Sequence, residues 1–295
     1  MTRDPQEILK KIRRLELRTR RLVNSSFAGQ YHSVFKGRGM NFEEVREYNP
    51  GDEIRSIDWN VTARMSTPYV KKYTEERELT VMLLVDVSAS GTFGSVELSK
   101  RELAAEVAAI LAFSAINNND KVGLLLFSDE VELFIPPKKG RQHTLRLIRE
   151  MLYFEPKGRG TNLAVALEYL NKVVARRSVV FIISDFLASD YTTPFTVASR
   201  RHDMVAMPVI DPGEEALPDV GLVTFEDAET GELIEVNTSS QTVRDDFAEA
   251  EERRRKDLDK LFGSRGVDVV PLATNEDYLI ALRNFFDRRE RRMAA

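Results

Sequence analysis

A chain of 295 residues with 31% charged and 42% hydrophobic side chains carries enough apolar material for a full core, so two modest domains or one large α/β domain with an appendage are expected. The formal net charge of -4 is too near balance to argue for nucleic acid, and the absence of cysteine removes disulfides, thiolate metal sites and cysteine nucleophiles. The three histidines, His32, His143 and His202, are too scattered for a multi-histidine zinc site.

Residues 7–23 read as an amphipathic helix, with Ile8, Ile12, Leu15, Leu22 and Val23 as a rough apolar stripe and Lys10, Lys11, Arg13, Arg14, Arg18, Arg20 and Arg21 around it. Such a helix suits a membrane surface, a nucleic acid or an acidic partner, or simply a solvated helix packed on its own protein. It lacks the apolar core and cleavage site of a signal peptide, and no stretch approaches the roughly 20 apolar residues that span a bilayer. A cytoplasmic protein is therefore expected, or one peripheral to the inner face of the membrane. Residues 27–78 interleave glycine, arginine and aromatics, with turns at Asn49-Pro50-Gly51-Asp52 and Thr67-Pro68. Lys36-Gly37-Arg38-Gly39 lacks the pattern of a phosphate-binding loop. The segment is too short and polar for a large core. It is expected to pack on the main domain as short strands, giving apolar partners to Phe27, Tyr31, Phe35, Phe42, Tyr48 and Trp59.

From Leu79 the pattern becomes α/β. Leu79 to Val85 is a nearly unbroken apolar run, the mark of a strand buried on both faces. A helix over 97–116, a strand at Val122–Phe127 and a hairpin partner at Val131–Ile135, ended by Pro136-Pro137, come next. Then follow a helix over 141–153, a turn at 155–160, a helix over 163–174 capped by Thr161 or Asn162, and a strand at Ser178–Ile183. A helix near 190–200, a strand at 204–210, a hairpin at 219–237 turning at Ala228-Glu229-Thr230-Gly231, a charged helix at 243–262, a strand at 267–271 and a helix at 276–289 complete the chain. The alternation predicts an α/β fold: a mostly parallel sheet with helices on both faces over 79–289, with 1–78 as a helical and β-rich appendage.

The first strand ends in Asp86-Val87-Ser88-Ala89-Ser90. A carboxylate there is costly without a partner, and Mg2+ takes oxygen ligands, neutral hydroxyls included. Asp86 capping a turn, with the serines as turn residues, is the plainer reading of the pentapeptide alone. Following the chain direction through the sheet, however, brings Asp86, Ser88 and Ser90, then Thr161, then Asp185 to one edge, with Asp129 on a neighbouring hairpin. Lys138, Lys139 and Arg141 fall at the opposite edge. A metal site at Asp86, Ser88, Ser90, Thr161 and Asp185 is therefore expected, holding Mg2+ with Mn2+ or Ca2+ as substitutes.

These five residues resemble the metal-ion-dependent adhesion site (MIDAS) of von Willebrand factor A domains, with Gly91-Thr92 where many such sites have Met after the last serine. The flanks resemble a bacterial family, domain of unknown function 58. The matching stretches are Gly37-Arg38-Gly39, Val45-Arg46-Glu47-Tyr48, Pro50-Gly51-Asp52, Ile57-Asp58-Trp59-Asn60, Glu75-Glu76-Arg77-Glu78, Ser184-Asp185-Phe186 and Asp227-Ala228-Glu229-Thr230-Gly231. The resemblance implies a von Willebrand factor A-like fold and a protein-binding role beside a MoxR-type AAA+ ATPase or its client, with no small-molecule substrate. Catalysis is not expected, because hydrolysis needs a base, the loops offer only Asp129, and a haloacid-dehalogenase-type phosphatase would want an Asp where Ser88 stands. The alternatives are a metal-dependent hydrolase of phosphoryl or ester groups, and nucleic-acid or membrane-surface binding by the basic helix.

Overall fold

The computed structural model describes residues 78–95, 98–188 and 190–294, together with 28–36, 44–52, 54, 57–65, 67–72 and the separate positions 13, 16, 17, 19, 22 and 23. Most of the helix expected over 7–23, the Gly37-Arg38-Gly39 and Glu75-Glu76-Arg77 stretches, Phe27 and Phe42 lie outside the described residues.

Ahead of the main sheet come helix α1 (Ala28–Lys36), strand β1 (Glu44–Glu47), helix α2 (Trp59–Met65) and strand β2 (Tyr69–Lys72). The sequence predicts only short strands here, and the two helices correct that. In α1, Tyr31, Val34 and Phe35 share one helical face. Tyr31 and Val34 are buried, and Phe35 meets Phe181, Phe285 and Phe286, with the Arg289 guanidinium 4.6 Å from its ring centroid. In α2 the Asp58 carboxylate accepts from the backbone N–H groups of Asn60 (2.9 Å) and Val61 (3.2 Å), which starts the helix. Strands β1 and β2 pair antiparallel. Arg46 forks onto Asp52 at 2.8 and 2.7 Å and closes the Asn49–Asp52 turn, where Gly51 takes φ +115°. Trp59, expected to need apolar cover, is 66% exposed.

The main body runs β3 (Thr80–Asp86), α3 (Lys100–Asn117), β4 (Lys121–Phe127), β5 (Val131–Lys138), α4 (Arg141–Tyr153), α5 (Leu163–Val173), β6 (Val179–Ser184), α6 (Thr192–Arg201), β7 (Asp203–Ile210) and a short α7 (Pro212–Glu215). The hairpin β8 (Leu222–Glu226) and β9 (Leu233–Asn237), α8 (Gln241–Ser264), β10 (Asp268–Val269), β11 (Leu272–Ala273) and α9 (Tyr278–Ala294) follow. The sheet order is β10-β7-β6-β3-β4-β5, with β11 also on β7, and every pairing is parallel except β4 with β5. This is the mostly parallel α/β architecture that the sequence predicts. Strand β3 is central, which explains its unbroken apolar run. Val81, Leu83 and Val85 join the core under α1, α3, α4 and α9, while Met82 and Leu84 join the one under α5, α6 and α8. Each such buried side chain contributes about 1.5–3 kcal/mol.

Two strand boundaries differ from expectation. Pro136-Pro137 does not end β5, which continues to Lys138. The strand is at the sheet edge, where a missing N–H is tolerated. The prolines also lie where the register shifts between Val122 and Leu124, opposite Gly123. A Cβ on Gly123 would stand 2.6 Å from the Met82 sulfur and 3.0 Å from the Pro137 nitrogen, so only glycine fits. The strand expected at 267–271 is two pairs of residues, β10 and β11, both on β7 and separated at Val270-Pro271. Helix α9 runs past 289 and absorbs the basic tail. Among the described residues no helix is long and apolar enough to cross a membrane.

Candidate metal centre

Because β3, β4, β6 and β7 are parallel, their carboxyl ends share one edge, and Asp86 and Ser184 are the last residues of β3 and β6. After Asp86 the chain folds back. The Ser88 N–H donates to Asp86 Oδ1 (2.9 Å), and a single 3-10 turn at Ala89–Thr92 sets the Ser88 and Ser90 hydroxyls 2.9 Å apart. Ser90 Oγ donates to Asp185 Oδ2 (2.9 Å), and Ser184 Oγ donates to Asp86 Oδ2 (2.6 Å). Asp86, Ser88, Ser90 and Asp185 thus form one hydrogen-bonded cluster, in which Asp86, Ser88 and Asp185 are buried.

Thr161 reaches the same edge on a stitched loop. The Ala89 N–H donates to the Arg159 carbonyl (2.9 Å), tying this loop to the serine loop. Glu132 Oε1 accepts from the N–H groups of Lys157 and Gly158 (2.8 Å each), and the Asn162 N–H donates to the Ser128 carbonyl (2.7 Å). A Cβ on Gly158 would overlap Asp129 Oδ1 at 1.5 Å, so the loop lies directly against the β4–β5 turn and a larger residue there would have to push the Asp129 side chain aside. Asn162, not Thr161, caps α5, accepting from the Val165 N–H (3.2 Å). The Thr161 hydroxyl is left for another contact and donates to Glu229 Oε1 at 2.6 Å, not to the other four residues.

Four residues at this edge escape the sequence reading. Besides Ser184 and Glu229, Lys100 places its ammonium 2.8 Å from Asp185 Oδ2 and 2.6 Å from Glu214 Oε1, with the lysine side chain 2% exposed. Lys100 is the first residue of α3, fixed by a capping box between Ser99 and Glu102. Glu214 rides on α7, whose cap Asp211 accepts from the Gly213 N–H (2.9 Å), the Ser95 N–H (3.0 Å) and Thr274 Oγ1 (2.8 Å). The capping pattern Ser99-x-x-Glu102 marks where Lys100 starts its helix, but nothing local marks its partners. A cleft of about 590 Å3 between β7 and α8 opens beside Asp185 and Glu214. Phe186, after Asp185, sits at φ +57°, a conformation disfavoured for a bulky residue. Its ring, packed against Phe262 and Tyr191, holds it there.

The two carboxylates of the cluster differ in their electrostatic surroundings. Burial and then the Asp185 charge push the Asp86 carboxyl up to about 6, against hydrogen bonds from Ser184 and Ser88. Burial works against the Lys100 ammonium, yet Asp185 and Glu214 hold it above its usual value. Lys100 offsets charge on Asp185, whereas Asp86 is held by Ser88 and Ser184, which are neutral donors. Among the described residues no group of three or more His, Cys, Asp or Glu is arranged around a point. The donor set instead rests on hydroxyls beside two carboxylates. All its donors are oxygen, which suits a hard divalent ion such as Mg2+.

A family model described as "Protein of unknown function DUF58" matches residues 44–257. The chain belongs to the DUF58 family. The matched span of DUF58 runs from β1 into α8 and contains every residue of the cluster, together with Lys100, Glu214 and Glu229. Among relatives, the uncharacterized protein Rv1480 of Mycobacterium tuberculosis is 34% identical over 291 residues, covering 98% of this chain and 92% of that one. The uncharacterized protein YeaD of Bacillus subtilis is 27% identical over 146 residues, 50% of this chain and 34% of that one. Among solved structures, BatB from Bacteroides thetaiotaomicron has a TM-score of 0.46 at 15% identity, covering 73% of this chain and 98% of that one. The SpRpn10 VWA domain has a TM-score of 0.39 at 11% identity, with 72% and 95% covered.

Proposed function

We propose that this DUF58 protein is a metal-dependent protein-binding adaptor. Mg2+ held by Asp86, Ser88, Ser90, Thr161 and Asp185 offers an exchangeable position to an acidic side chain of a partner. The observation that carries this reading is the cluster itself: two buried carboxylates and two serine hydroxyls drawn together from separate loops at the carboxyl edge of the sheet. Few protein ligands leave Mg2+ with waters that an incoming carboxylate can replace. The adaptor is favoured over a hydrolase because the nearby acids are engaged, Glu214 by Lys100 and Glu229 by Thr161, so neither is a free base. The partner we assign, a MoxR-type AAA+ ATPase or its client, rests on the family resemblance; a cytoplasmic placement is part of the same proposal, and the cysteine-free composition fits it.

The test is capture of a MoxR-type ATPase by the full chain. Capture should occur with Mg2+, be lost with EDTA, return on adding Mg2+, and be absent from the Ser88→Ala/Asp185→Ala double variant. High salt during the wash removes contacts made by exposed charges and isolates the metal-dependent part. Equal capture with EDTA and by the double variant would reduce the fold to a scaffold for contacts elsewhere.

A further inference from the structure

Strands β6, β7 and β10 run parallel to β3, so they start at the sheet edge opposite Asp86. Three stretches meet there: the end of α5 with the loop to β6, the end of α6, and the turn between α8 and β10. They carry Lys172, Arg176, Arg177, Arg200, Arg201 and Arg265, all exposed. Hydrogen bonds between the stretches make one surface of them. Arg201 donates to the Asn171 carbonyl (2.6 Å) and the Ala175 carbonyl (2.9 Å), and Arg265 donates to Thr196 Oγ1 (2.9 Å). Cations in the last turn of a helix complement its carbonyl end, which gives Lys172, Arg200 and Arg201 a structural reason. It gives none to Arg176 and Arg177, which lie between α5 and β6.

Among the described residues no carboxylate pairs with any of these six bases. The acids nearby are engaged: Arg289 holds Asp203 and Asp268, and Arg292 adds to Asp268. Further along the same edge the charges cancel, Lys121 and Lys139 with Glu78, and Arg141 with Glu16. The formal net charge of the chain is -4, so the six bases are a local excess of positive charge. Burial, then the charges of Arg201 and Arg177, hold the His202 imidazole at about 4, so this field reaches the interior. Val173 and Val197 are 38% and 51% exposed beside the bases, and Val197 shares a helix face with Arg200 and Arg201. Aliphatic side chains among bases suit the headgroup boundary of an anionic bilayer. A single-stranded nucleic acid would want aromatic rings for stacking, and no exposed aromatic residue stands on these three stretches. We propose that this edge is a docking surface for an anionic membrane, made by the six bases around Val173 and Val197. The assignment does not depend on a metal. Strands β6 and β7, of six and eight residues, set the two sheet edges about 20–25 Å apart. A chain seated this way turns its Asp86 edge away from the lipid.

Co-sedimentation of the chain with vesicles tests this. The wild type should bind vesicles of equal parts phosphatidylserine and phosphatidylcholine, ignore phosphatidylcholine alone, and come off in high salt. Arg176→Gln/Arg177→Gln/Arg200→Gln should weaken binding at least about tenfold, since each base at an anionic surface contributes roughly fivefold. Arg253→Gln/Lys256→Gln/Lys260→Gln removes the same charge from the exposed face of α8 and should bind like the wild type. No binding by the wild type, or equal weakening of the two variants, would overturn the proposal. Undiminished binding by the first variant would move the attraction to another part of the chain, such as the basic stretch 7–23, and overturn it too. Tighter binding to a DNA duplex than to the vesicles, lost in the first variant, would give the surface to nucleic acid instead.

Discussion

Asp185 joins three parts of the site. Its Oδ2 accepts from Ser90 and from Lys100, and its Oδ1 accepts from the Leu187 N–H (3.1 Å). Lys100 is thus a resident cation beside the place proposed for a second one. Lys100→Met should leave the buried Asp185 and the partly buried Glu214 without their partner and cost about 3 kcal/mol in EDTA, since breaking a buried pair from one side is strongly destabilising. The same change should tighten Mg2+ binding, because a competing positive charge is gone. Urea denaturation in EDTA together with a Mg2+ titration checks both signs, and looser Mg2+ binding in the variant would mean that Lys100 supports the metal instead of competing with it. The split between residues that sequence exposes and those it hides lies along this pair. Asp86, Ser88 and Ser90 are legible because strand and turn put alternate residues on one side, and Asp185 because its strand ends at the same edge. Lys100 reads as an ordinary first-turn residue, and only the tertiary return of α7 gives it Glu214. Glu229 reads as part of a hairpin turn, since no local pattern says where a hairpin points.

At the scale of elements, β7 and the helix before it carry a pH-sensitive contact away from the metal. His202 ends α6, is buried, and has no hydrogen-bond partner on either ring nitrogen among the described residues. Burial first, then the charges of Arg201 and Arg177, lower its pKa from 6.5 to about 4. The unfolded chain therefore takes up this proton before the folded one. Stability from this group is complete above about 6.5 and falls as pH drops toward about 4. The urea midpoint of the wild type should drop between pH 7.5 and pH 4.5, and His202→Leu should show a smaller drop. An equal drop in the two proteins would place the acid sensitivity elsewhere. Element identities are largely legible, because helices of 3.6-residue period alternate with short apolar runs. The misses have backbone causes. The Pro136-Pro137 pair reads as a stop, but an edge strand opposite the Gly123 bulge accommodates it. In 27–78, the side-chain cap at Asp58 makes a helix where turn residues and aromatics suggest strands.

Across the whole molecule the sheet organises everything else. Both faces are covered by helices, which leaves the carboxyl edge as the place where loops from β3, β6 and the 155–162 segment meet. The family-specific stretches ahead of the sheet find a structural role: Arg46, Asp52 and Asp58 close a turn and cap a helix. The site and the β8–β9 hairpin fall within the DUF58 match. The hairpin tip meets Thr161, one of the residues proposed to hold the cation, through Glu229. The adaptor reading depends on a divalent cation at Asp86. Titration calorimetry of Mg2+ into the metal-free chain tests it most directly. The wild type should bind at one site, and Asp86→Ala should bind none while keeping a cooperative unfolding transition. A wild type that takes up no divalent cation, or an Asp86→Ala protein that binds Mg2+ with unchanged affinity, would contradict the account.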